Sequence, residues 1–144
     1  MSEEIRDLCS PCGLDCFNCE LYFKNITEDF KQLVAVKTGR KPEEIPCRGC
    51  RAEREARLKR CESLKCIVRH DVEFCFECPE FPCPFLAPSK DGAELFPHNM
   101  KVYNLCRMRA IGVEQWAAQE AATIRALYYK GKFVPGRGPV LDKG

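Results

Sequence analysis

The strongest apolar periodicity lies in the last third of the chain. Val113, Trp116, Ala117, Ile124, Leu127 and Tyr128 recur at helical spacing, which predicts one helix from Val113 to about Tyr129, ending before Gly131. A helix from Pro97 or His98 to Ile111 is expected ahead of it, with Gly112 as the break. Nearer the N-terminus, Ile26, Phe30, Leu33 and Val34 share one helical face. Thr27 is placed to cap that helix, Glu28 and Asp29 put negative charge in its first turn, and Gly39 supplies a stop. A short helix is expected around Leu64 to His70. Between Glu77 and Pro88, four prolines (Pro79, Pro82, Pro84 and Pro88) fix φ and remove donors, so this stretch reads as loop. No stretch alternates with a period of two, so strands should be few or none. Residues 131–144, with four glycines and two prolines, read as an extended tail.

Composition changes this picture in one respect. Apolar residues make up 45% of the 144, but cysteine supplies twelve of them. The remainder is thin for a chain that must offset roughly 1–2 kcal/mol of backbone entropy per ordered residue. The N-terminus, Met1 to Asp7, is polar and charged and lacks the apolar stretch of a secretory signal. No run approaches the ~20 apolar residues that span a bilayer. The expectation is a cytoplasmic protein with no membrane contact, in a compartment that keeps thiols reduced. There, twelve cysteines favour metal over disulfides. The fold class that follows is mainly α: a small helical domain with metal-organised, cysteine-rich loops. It is read as a single domain over residues 1–130, with a metal-binding part at 9–83 and a helical part at 97–130.

The spacing of the cysteines points the same way. Four pairs read Cys-x-x-Cys: Cys9/Cys12, Cys16/Cys19, Cys47/Cys50 and Cys75/Cys78. Two thiolates so close can clasp one tetrahedral ion at a Zn–S distance of ~2.3 Å. Gly13 and Gly49 would let the backbone turn tightly around an ion. Cys61-x4-Cys66 and Cys83 complete the set, while Cys106 stands alone in a predicted helix. The metal ligands expected are Cys12, Cys16, Cys19, Cys47, Cys50, Cys61, Cys66, Cys75, Cys78 and Cys83, with Cys9 and His70 as further candidates. Two four-cysteine sites, or two plus a partial third, fit this inventory, and neighbouring pairs can cross-brace, so spacing leaves the pairing open. Zinc is the expected cofactor, and an iron–sulfur cluster is the alternative.

Several of these motifs occur together in a known family. Cys12-Gly-Leu-Asp-Cys16-x-x-Cys19, Cys47-x-Gly-Cys50, Cys61-x4-Cys66, Cys75-x-x-Cys78-x-x-Phe81-Pro82-Cys83 and Ile111-Gly112-x-x-x-Trp116 follow one another over residues 9 to 120. In this the chain resembles a prokaryotic cysteine-rich domain of unknown function found in bacteria and archaea. The resemblance implies a metal-binding protein without an established activity. Against that pattern Cys9 and Cys106 look like additions, and Leu58 stands where some relatives carry another cysteine.

The remaining candidates are weaker. Net charge is +2, too small to argue for an acidic partner by itself. Arg48, Arg51, Arg54, Arg57 and Arg60 recur every three residues, and 48–69 holds eight Lys/Arg against three Glu. That run is either a phosphate-contacting patch or a solvated face, and a protein partner is favoured over nucleic acid. His98 sits where a helix should begin. Phe74, Phe76, Phe81 and Phe85 crowd the last cysteine group, as a shielding cluster or as an exposed docking patch. No catalytic residues are assigned, because no paired carboxylates, serine triad or phosphate loop stands in a convincing context. The expected function is an interaction module built around structural zinc. The alternative is an iron–sulfur electron-transfer protein or a metal-dependent enzyme.

Overall fold

The computed structural model describes residues 2–86, 100–135 and 138–140. Pro88, Pro97, His98 and residues 141–144 lie outside these. The described chain holds seven α-helices: α1 (Ser2–Leu8), α2 (Glu28–Thr38), α3 (Arg54–Leu58), α4 (Glu62–His70), α5 (Met100–Ile111), α6 (Val113–Gln119) and α7 (Ala121–Lys130). Two strands, β1 (Lys132–Val134) and β2 (Gly138–Val140), pair antiparallel as a hairpin in the segment read as an extended tail. The fold is a small helical domain, as the apolar spacing indicates. No helix among the described residues is long and apolar enough to cross a membrane.

The ends of α2 are set by local chemistry. The Thr27 hydroxyl accepts from the Phe30 amide at 3.2 Å, and Gly39 terminates the helix with φ +71. Its expected apolar face is only partly used. Ile26, Phe30 and Val34 are half-buried, but Leu33 is 49% exposed and the neighbouring Val36 is 81% exposed. α4 starts two residues earlier than the apolar spacing indicated and buries Leu64 and Ile67.

The single helix expected over 113–129 is instead two. Glu120 leaves helical geometry (φ −121, ψ −32) and separates α6 from α7. Its carboxylate accepts two hydrogen bonds from Arg107 of α5, at 2.7 and 2.9 Å. The bend places Trp116 on one side of it, and Ala121 and Ile124 on the other, all buried. No local breaker such as Gly or Pro stands at this point, so the bend follows from packing against α5.

The core joins the helices to the cysteine loops. Leu64, Ile67, Phe74, Leu86, Leu105, Met108, Val113 and Trp116 form one buried cluster that also contains Cys9, Cys12 and Cys75. The loop after α1 is held against α5 closely. Gly13 has φ +91, and a Cβ there would lie 2.8 Å from the Lys101 carbonyl oxygen and 2.9 Å from Leu105 Cγ. Asn104 Nδ2 donates to the Gly13 carbonyl at 2.9 Å, and Trp116 Nε1 donates to Asn104 Oδ1 at 3.2 Å. These bonds satisfy polar groups that burial would otherwise penalise by about 1–3 kcal/mol each.

Candidate metal centre

The cysteine-bearing loops contribute Cys9, Cys12 and Cys75 to the core that α5 and α6 complete. Residues Cys16–Asn18 form a 3-10 turn that carries Cys16 and ends at Cys19. The Cys47–Cys50 knuckle reaches this turn through a short parallel pairing: Cys47 N donates to the Leu21 carbonyl at 2.8 Å, and Phe23 N donates to the Cys47 carbonyl at 2.9 Å. Gly49, buried with φ +100, makes the knuckle. One amide donates to a sulfur in each segment, Gly49 N to Cys47 Sγ (3.3 Å) in the knuckle and Leu21 N to Cys19 Sγ (3.5 Å) in the turn.

Four thiols influence one another here. Cys16 hydrogen-bonds to Cys50, which holds the proton on Cys16 and lowers Cys50, with Arg57 and Arg51 adding in the same direction. Burial holds the Cys12 thiol above its ordinary value, and the charges of Cys50 and Cys61 push it the same way. Cys12, Cys16, Cys50 and Cys61 therefore form one electrostatically connected group. The Arg57 guanidinium lies 3.2 Å from Cys47 Sγ and 3.9 Å from Cys50 Sγ, and is itself held by Glu53 at 3.0 Å.

A second group lies beside the first. Cys66 of α4 and Cys75, Cys78 and Cys83 of the following loop line one cavity of about 170 Å³. Burial pushes Cys75 up to about 12, and the charges of Cys12, Cys83, Cys66 and Cys78 add to this. The two groups are joined by backbone, since Cys75 N donates to the Pro11 carbonyl at 2.9 Å. The Cys75–Cys78 segment repeats the geometry of Cys16–Cys19: a 3-10 turn over Cys75–Glu77, with Glu80 N donating to Cys78 Sγ at 3.4 Å as Leu21 N does to Cys19 Sγ. At the rim, one donor atom each from His70, Cys78 and Glu80 lie within 4.8 Å of one another, which makes a three-donor set able to hold a metal ion.

The other cysteines are placed differently. Cys9 is 1% exposed and its thiol donates to the Ile5 carbonyl at 3.1 Å; burial pushes it up to about 12. It is core rather than a neighbour of either group's cavity. Cys106 is exposed on α5. Cys19 and Cys47 adjoin the first group through the parallel pairing. Leu58 packs against the apolar core. Of the crowded phenylalanines, Phe74 is fully buried and stacks on Phe76 (5.6 Å, 18°), whereas Phe85 is 55% exposed.

Several residues that hold the site were not evident from spacing. Asp15, 1% exposed, pairs with Arg125 of α7 at 2.6 Å and accepts from Asn18 at 2.9 Å. Phe17 meets Trp116 edge-on at 6.3 Å. Two of the five arginines in the run, Arg51 and Arg57, are spent internally, while Arg48, Arg54 and Arg60 are exposed. Arg51 donates to the carbonyls of Cys9 and Glu73, each at 2.8 Å, and its guanidinium lies 4.6 Å from the centre of the Phe74 ring; Arg57 binds sulfur; Arg48 covers Phe23. Glu73 also pairs with Arg6 of α1. The only sign of Asp15 in the sequence is its place between Leu14 and Cys16.

A family model described as "Protein of unknown function (DUF3795)" matches residues 8–88, more than half of the chain. The chain belongs to this family. The matched span contains every cysteine of both groups, together with α2, α3 and α4, and stops short of α5–α7. No curated protein and no solved structure matches the chain.

Proposed function

We propose that this member of the DUF3795 family is a zinc-organised interaction module. One ion is held by Cys12, Cys16, Cys50 and Cys61, with Cys19 and Cys47 alongside, and a second by Cys66, Cys75, Cys78 and Cys83. The observation that carries the reading is that Cys66, Cys75, Cys78 and Cys83 line one cavity, beside Cys12, Cys16, Cys50 and Cys61, which are linked by hydrogen bonding and charge. Four soft sulfur donors per group suit a tetrahedral ion that needs no further ligand. The Glu80 amide on Cys78 Sγ would delocalise thiolate charge in the second group, and Arg57 would offset part of the net −2 of a four-thiolate zinc group in the first. Zinc so bound contributes roughly 10–16 kcal/mol of apparent folding energy, which answers the thin apolar core.

A protein partner is favoured over nucleic acid because Arg51 and Arg57, at the centre of the arginine run, are committed inside the structure. Leu33 and Val36 on α2 offer apolar surface instead. The test is elemental analysis and a visible spectrum on protein purified without oxygen or added metal. Colourless protein with about two zinc ions per chain, losing helical circular dichroism on chelation, is the expected result. Brown protein with iron and acid-labile sulfide would replace this reading with electron transfer.

A further inference from the structure

His70 and Glu80 stand at the mouth of the second cysteine group without being needed by it. His70 is the last residue of α4, one turn beyond Cys66, so the two project from the same helical face. The helix stops there because Asp71 turns left-handed (φ 52, ψ 51). His70 Nε2 lies 3.1 Å from Glu80 Oε2. The Glu80 amide is tied to Cys78 Sγ, and Glu80 also lines the cavity that Cys66, Cys75, Cys78 and Cys83 surround. Exposure rises outward. Cys75 is buried, the His70 side chain is 24% exposed, and that of Glu80 is 70% exposed.

A metal ion leaving a closed four-thiolate group faces a barrier, because sulfur ligands must be lost before water or another donor reaches it. A nitrogen and an oxygen donor beside one of those sulfurs lower that barrier by exchanging ligands one at a time. We propose that His70, Cys78 and Glu80 form an outer, mixed-donor divalent-metal site through which the ion of the Cys66/Cys75/Cys78/Cys83 group enters and leaves, with Cys78 common to both. Inward transfer breaks the bonds to His70 nitrogen, Glu80 oxygen and water. It forms bonds to the sulfurs of Cys66, Cys75 and Cys83, each thiol giving its proton to solvent. Outward transfer is the reverse, and no oxidant or reductant is involved. Three protein donors leave a fourth position open, as in zinc sites that exchange a ligand. An exchange site changes the rate in both directions equally and leaves the affinity of the inner group alone.

This inference rests on the zinc reading above and is tested on the intact, zinc-loaded chain. Natural zinc in the protein is exchanged against isotopically enriched zinc at constant total zinc, and the bound isotopes are counted by mass spectrometry. The wild type is expected to exchange one ion faster than the other. In His70→Ala and Glu80→Gln that faster exchange slows at least fivefold, while both still hold two ions and keep their helical circular dichroism. Unchanged exchange in both variants would overturn the exchange site and leave the zinc reading standing. Loss of one ion in either variant would make that residue a permanent ligand and overturn it as well. A wild type that holds no zinc would bring down the underlying reading first.

Discussion

Gly13 is where the cysteine loops and the C-terminal helices touch most tightly. A side chain there must both adopt φ +91 and displace the Lys101 carbonyl or Leu105. The left-handed region costs a non-glycine residue about 1–2 kcal/mol, and the contact with backbone at 2.8 Å cannot be relieved by a rotamer change. Gly13→Ala is therefore expected to destabilise the protein by about 2 kcal/mol or more, read from denaturant midpoints of the metal-loaded form. Gly49→Ala, with nothing within 4 Å of its Cβ position, should lose only the conformational part. Equal losses at the two positions would show that the close approach at Gly13 is not maintained in solution.

At the scale of elements, α2 separates what its ends do from what its face does. Thr27→Ala removes an observed cap and should cost about 1 kcal/mol. Val36→Glu, on an 81% exposed position, should change stability by less than about 0.5 kcal/mol, as measured by thermal unfolding. A large loss at Val36 would mean that something covers this face. The caps of α2 were legible in the sequence because cap chemistry is local: Thr27, Glu28, Asp29 and Gly39 act within one turn of themselves. The break at Glu120 was not, because its cause is Arg107 on another helix. The grouping of cysteines was illegible for the same reason. Cys50 comes beside Cys16 only once the knuckle at 47–50 has been docked by backbone bonds at Leu21 and Phe23. Asp15 and Arg125 are 110 residues apart, and nothing in either neighbourhood announces the other. The arginine run showed its period but not its use, since a guanidinium over Phe74 or against a cysteine sulfur is a tertiary arrangement.

For the whole molecule, the family match and the folding unit do not coincide. The match ends at residue 88, yet Trp116, Leu105 and Met108 complete the core, Asn104 satisfies the Gly13 carbonyl and Arg125 neutralises buried Asp15. A chain cut to residues 8–88 would expose the apolar cluster and remove both Arg125, the partner of Asp15, and Asn104, the donor to the Gly13 carbonyl. Such a fragment is expected to lack a cooperative thermal transition even with excess zinc, by calorimetry or circular dichroism. A cooperative transition would mean that the metal groups alone define the fold.

The pairing of Leu21 and Phe23 with Cys47 has one more consequence. It pins the chain where it departs for α2 and again where it comes back, so residues 24–46 form a closed excursion whose base is fixed independently of its contents. What that excursion buries, Ala35 and Ile45, does not belong to the main core cluster. Lengthening such a loop costs only about 0.6 kcal/mol for each doubling. The excursion is thus the natural place to graft a fluorescent reporter or a second binding element, with the sulfur groups beneath keeping their shape.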